Sequence, residues 1–289
     1  MTHEIPFIFW PLLFIQILLF YKKSAGQAEV EENLNSRKSP RAALSRARSL
    51  QEETRGDNFV HHFLGETSDY TGDYRIIRYY MSSGFAGDYE DITLATFATV
   101  ADIPQLWKLA RKWQGPMSIS LFVDGDQATI AHIAIEKFRK CSGLDDSIPL
   151  HFHLVYSTSL EALTDDARLA DLKYFSCAEF KELCERQQRI DFAQTGLRLP
   201  KNLLRNIAKD SASTDFVLSA DISLSPNDNL RENFLKFANK ENLFDATSKQ
   251  AFVIPAFEIK HGLPFPRRGL VFIFEIIFLL HTHKILTGL

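Results

Sequence analysis

The residues with the clearest chemical potential in this chain are Asp221-Ile222-Ser223 and the polar positions just before them, Asn202, Arg205 and Asn206. Asp221 follows the apolar run Phe216 to Ala220, so its carboxylate stands where a strand should exit. In an open α/β sheet, ligands bind just beyond the carboxyl ends of the strands. A carboxylate there can hold a cation and, through it, a phosphate. Ser223 adds a hydroxyl, which is a weaker ligand for a hard cation than a second carboxylate. Oxygen ligands of this kind suit Mn2+ or Mg2+. Arg205 offers a planar guanidinium that matches phosphate geometry. Asn202 and Asn206 offer amide hydrogen bonds from the same stretch. The competing role for Arg205 and Asn206 is structural, bracing a helix against the sheet. The pattern reads as a metal-assisted site for a phosphate-bearing ligand.

Other candidates carry less. Asp124-Gly125-Asp126 follows an apolar run and is a second acid-x-acid string, but Asp-Gly is also a common turn signal and is read here as a turn. His151 and His153 alternate, so they share one face of a strand. Without further ligands they read as polar residues on a sheet face. His281 and His283 read the same way. Cys177 and Cys184 lie two helical turns apart, too far for a disulfide within a regular helix, and Cys141 is the third cysteine. No Cys-x-x-Cys spacing and no Asn-x-Ser/Thr sequon is present.

These residues must be positioned by the elements around them. Leu199 to Ala208 has helical apolar spacing with Pro200 near its start, where proline is tolerated. Ser211 to Thr214 is a polar gap before the strand. Upstream, the pattern predicts strands at 74–81, 91–98, 117–123 and 149–156, and helices at 103–113, 128–138 and 176–188. Downstream it predicts a helix at 229–239 and a strand at 251–259. Strands alternating with helices of this length imply βαβ units and a mostly parallel sheet.

Several ordered blocks resemble one family. Asp91-Ile92-Thr93-Leu94-Ala95-Thr96, Trp113-Gln114-Gly115-Pro116, Leu199-Pro200-Lys201-Asn202-Leu203-Leu204-Arg205-Asn206, Phe216 to Pro226 and Ala251 to Ile259 are similar to the Golgi glycosyltransferases of the LARGE and β-1,4-glucuronyltransferase family. The resemblance covers roughly Tyr74 to Pro264. It implies a GT-A-type, Rossmann-like α/β fold and transfer of a sugar, glucuronic acid, from a UDP-sugar to an acceptor glycan in protein O-glycosylation. It implies that Asp221 is a metal ligand, with Ser223 standing where the family has its second acid. It also implies that Arg205, Asn202 and Asn206 meet the donor and that Leu94, Ala95 and Thr96 line the uridine pocket at a strand end. Glu258 lies on the strand that the family places beside the nucleotide-sugar site. Past Pro266 the resemblance stops, although a family member continues. A catalytically inactive, binding or partner subunit and a truncated product are the alternatives.

The remainder sets the frame. Ile5 to Tyr21 is an apolar run without a charge, at the short end of what spans a bilayer. Residues 1–23 read as a signal anchor, with a cleaved signal peptide as the competing reading. Lys22 and Lys23 run against the type II orientation that the resemblance implies, and large domains translocate despite local charge. Residues 24–58 are polar with interleaved acids and bases, a stem. Residues 59–266 form the glycosyltransferase-like domain, and 267–289 a divergent apolar tail. A Golgi membrane location follows from the resemblance, with secretion after cleavage as the alternative. The formal charge of −3 makes no case for nucleic acid.

Overall fold

The computed structural model describes residues 16–22, 66–83, 90–123, 127–159, 165–187, 199–245 and 251–256. The Asp124 to Asp126 string, His281 and His283, Glu258, the 24–58 stem and the 267–289 tail lie outside the described residues. The strands are β1 (Gln16–Lys22), β2 (Glu66–Ser68), β3 (Tyr74–Ser83), β4 (Ile92–Thr99), β5 (Met117–Val123), β6 (Leu150–Ser157), β7 (Phe216–Ser219) and β8 (Ala251–Ala256). The helices are α1 (Ile103–Trp113), α2 (Ala128–Glu136), α3 (Phe138–Ser142), α4 (Asp166–Leu172), α5 (Cys177–Glu185), α6 (Lys201–Asp210) and α7 (Leu230–Lys240).

The strands form one sheet in the order β2-β3-β6-β5-β4-β7-β1-β8. The expected parallel sheet is its centre: β6, β5, β4 and β7 run parallel. On one side β3 pairs antiparallel with β6, and on the other β1 lies antiparallel between β7 and β8. The fold is the α/β class predicted, with helices on both faces. Every residue of β4, β5 and β6 is buried, as expected of central parallel strands covered on both sides.

Period-2 alternation gives the two faces different characters. One face carries Ile92, Leu94, Ala98, Met117, Ile119, Leu121, Leu150, Phe152 and Leu154, which join the main core with residues of α1, α2, α5 and α7. The opposite face is built of smaller and more polar residues: Thr93, Ala95, Ser118, Ser120, His151 and His153, all buried. Short side chains there let α6 approach the sheet closely.

β1 falls within the expected anchor. Its residues belong to the stretch assigned to a signal anchor, yet here they pair with a strand on either side. An apolar run satisfies a sheet strand as readily as a bilayer, so hydropathy alone does not separate the two. Among the described residues no helix is long and apolar enough to cross a membrane.

Candidate functional site

α6 positions the candidate site. Leu204, Ile207 and Ala208 are buried against the sheet, while Asn202, Arg205 and Asn206 are exposed. Their i, i+3, i+4 spacing places the three polar residues on one side of the helix. The helix is fixed at its C-terminal end by β3. A register shift between Ile77 and Met81 turns Tyr79 to a positive φ of 53°. The Arg78 guanidinium then donates to Ser211 Oγ at 2.8 Å and to the Ile207 carbonyl at 3.4 Å. The Tyr79 hydroxyl donates to the Ser211 carbonyl at 3.1 Å. A cation beside the last carbonyls of a helix also complements its dipole.

Beneath the helix lies a buried polar relay. The Tyr79 backbone N–H donates to His153 Nδ1 at 2.8 Å. His153 Nδ1 is therefore an acceptor, which leaves the proton of the neutral ring on Nε2. That proton faces Ser118 Oγ at 3.0 Å, and Ser118 passes its own hydrogen to the Ala208 carbonyl at 2.7 Å. His151 Nδ1 meets Ser82 Oγ at 2.6 Å. Burial first, then the neighbouring His151 and Arg78, hold the His153 imidazole well below its ordinary range. The histidine pair thus shares a face as predicted and serves as packing beneath α6. Among the described residues no group of three His, Cys, Asp or Glu could hold a metal.

With its C-terminal end fixed, α6 brings its first turns to the rim where β4 and β7 end. Arg205 Nη2 lies 3.6 Å from Asp221 Oδ2. The guanidinium also sits over the Phe97 ring, 5.3 Å from its centroid, within cation–π range. Just past β7, the Ala220 N–H donates to the Ala95 carbonyl at 3.1 Å, and Asp221 starts a turn closed by the Leu224 N–H at 3.0 Å. The Ser223 backbone N–H donates to Asp221 Oδ1 at 3.1 Å. Asp221 thus stands at the strand exit, as the spacing implied, and the structure joins it to Arg205. Ser223 is exposed in the same turn and meets Asp221 through its backbone.

Leu94, Ala95 and Thr96 are not at a strand end. β4 continues to Thr99, and all three are buried within it. Leu94 lies in the main core, away from α6, and Ala95 packs beneath Ala208. Strand parity is the signal that corrects the expectation: Ala95 and Phe97 share the α6 face, Leu94 and Thr96 do not. Phe97, which the sequence reading missed, could have been found by carrying that parity one step further.

The donor set bears on the expected cation. Asp221 supplies one carboxylate, already beside a guanidinium, and Ser223 supplies a neutral hydroxyl. These two residues fall short of the several hard oxygen ligands that a divalent ion requires. Beside them stands an exposed Arg205 guanidinium, next to the Asp221 carboxylate and over the Phe97 ring, and a guanidinium matches phosphate geometry. A separate polar pocket of about 210 Å³, lined partly by Trp113, Gln114, Leu230 and Arg231, lies at the opposite edge, where β4 and β5 begin. There Arg231 pairs in two-pronged fashion with Asp91, at 2.9 and 2.5 Å.

Over residues 91–272 the chain matches the family described as glycosyl-transferase for dystroglycan. It is 30% identical over 225 residues to beta-1,4-glucuronyltransferase 1 of Mus musculus and to that of Homo sapiens, covering 73% of this chain and 51% of theirs. It is 24% identical over 186 residues to the xylosyl- and glucuronyltransferase LARGE1 of Homo sapiens, covering 63% of this chain and 19% of that protein. The chain therefore spans about half the length of the glucuronyltransferases it matches.

Proposed function

The chain belongs to the glycosyl-transferase family for dystroglycan, and we propose that the rim formed by Arg205, Asp221 and Phe97 binds the diphosphate of a UDP-sugar for transfer to an acceptor glycan. Glucuronic acid is the sugar that the chain's similarity to the beta-1,4-glucuronyltransferases supports. The observation that carries the reading is the Arg205 guanidinium, held 3.6 Å from Asp221 at the carboxyl end of the parallel strands.

In the transfer, an acceptor hydroxyl oxygen forms a bond to the anomeric carbon. The bond from that carbon to the diphosphate oxygen breaks, and UDP leaves with the electron pair. The hydroxyl proton passes to a base that the described residues do not identify. Arg205 would hold the diphosphate and offset the charge that grows on it, since a guanidinium pairs with phosphate oxygens in a fixed fork geometry. Asp221 would orient Arg205. Asn202 and Asn206, on the same side of α6, would bind further donor oxygens. A divalent cation would find one carboxylate here, and no step is assigned to it.

A disulfide bears on the compartment. Cys141 in α3 and Cys177 in α5 are bonded, with 5.5 Å between their Cα atoms. Such bonds persist in oxidising compartments, which supports a Golgi or secreted location. A second reading, donor binding without transfer, is favoured by Ser223 in place of an acid.

The test is calorimetry of UDP binding to the full chain, with and without Mn2+, alongside Arg205→Ala. Loss of a charge-assisted phosphate contact should weaken binding about 10- to 100-fold. A folded chain that binds no UDP overturns the donor-site reading. Binding without transfer to any acceptor selects the second reading.

A further inference from the structure

The position of β1 leads to an inference about the N-terminal apolar segment. Leu19, Phe20 and Tyr21 each face a residue on both sides: Ser219, Leu218 and Val217 on β7, and Val253, Phe252 and Ala251 on β8. β7 and β8 are therefore held one strand apart and do not pair with each other. Among the described residues β8 has no ladder partner except β1. Side chains keep β8 in place as well: Phe252 lies 5.8 Å from Phe237 and 6.0 Å from Phe234, ring to ring, and Ile254 is buried. Those contacts fix β8 at the distance of a missing strand, so without β1 the gap presents two facing rows of unpaired backbone groups. Unpaired strand edges are templates for another strand.

We propose that the gap between β7 and β8 is a strand-docking slot, that its occupant is this chain's own Gln16–Lys22, and that seating there excludes insertion of the same residues in a bilayer. A transmembrane segment satisfies every backbone group internally or in a closed barrel. Residues 19–21 satisfy theirs across two neighbouring strands. One backbone cannot do both. The connection from β1 to β2, residues 23–65, is on the order of 40 residues and could reach ~130 Å if extended. A connection of that length lets the segment reach the slot of a second copy as well as its own, as in strand exchange.

Paired cysteines test this in the full chain. Facing residues of an antiparallel ladder have Cα atoms about 4.5–5.5 Å apart, within reach of a disulfide. Leu19→Cys with Ser219→Cys reports one side of the slot, and Tyr21→Cys with Ala251→Cys reports the other. Leu19→Cys with Ser68→Cys, at the far edge of the sheet, is the control. The expected result is cross-linking of both slot pairs and not of the control, mapped by peptide mass. The same cross-links between two chains also support the slot and its occupant, with exchange. A folded chain in which neither slot pair cross-links overturns the proposal. Flotation with phosphatidylcholine vesicles tests the exclusion: the cross-linked chain should stay unbound, and cross-linked chain floating with the vesicles overturns it.

Discussion

At the residue scale the site turns on Ser223. The turn after β7 holds Asp221 by the Ser223 N–H at 3.1 Å, a bond that any residue except proline can make at this position. Replacing the side chain therefore changes the ligand set and leaves the turn intact. Ser223→Asp places a second carboxylate two residues from Asp221. The expected outcome is a Mn2+ dependence of UDP affinity of about tenfold or more, where the native chain shows little, because hard-cation affinity follows ligand charge. Titration of UDP at several Mn2+ concentrations checks it. An unchanged metal dependence would show that the cation site lacks more than one acid. Arg205 illustrates what residue type alone conveys. Its chemistry was legible, but both its partners, Asp221 and Phe97, are distant in sequence, and neither contact follows from spacing.

At the element scale, α6 is the part that places the site, and its seat is sensitive to acid. His153 accepts from Tyr79 and gives to Ser118, so a second ring proton would meet the Tyr79 N–H donor head on. The Tyr79 ring stands edge-on to the imidazole, and His151 and Arg78 add charge that opposes protonation. Its folded pKa is depressed, so the unfolded chain takes up the proton first. The stabilising contribution is complete above about pH 6.5, the unperturbed value, and is lost as pH falls below it. Thermal unfolding from pH 7.5 to 5 should show a melting temperature that falls below about pH 6.5. His153→Gln should lower stability at pH 7.5 and flatten that slope. Equal slopes in the two proteins would count against His153 as the cause.

At the scale of the whole molecule, the Cys141–Cys177 bond joins α3 to α5 across 36 positions of sequence. Helix geometry had already ruled out pairing of Cys177 with Cys184. Cys184 is buried as a free thiol, which burial pushes up to about 12. Replacing Cys141 and Cys177 together by Ser should cost about 2–4 kcal/mol in urea unfolding, since a loop of this length is released in the unfolded chain. Native Cys184 should resist thiol reagents until the protein unfolds. Free thiols at Cys141 and Cys177 in protein recovered from secreting cells without reductant would remove the disulfide as a support for an oxidising compartment.

The sequence by itself determined the α/β class, the helix–loop–strand order that ends on Asp221, and the shared face of His151 and His153. These follow from local periodicity and turn chemistry, which act over a few residues. Tertiary structure alone decided the rest. It carried β4 past Leu94 and Thr96 and set those two on the face away from α6. It paired Cys141 with Cys177, brought Arg205 to Asp221 over Phe97, and seated Gln16–Lys22 between β7 and β8. Each of these depends on which distant segments meet when the sheet closes. An apolar run or a charged side chain states what partner it needs, and the packed chain supplies that partner.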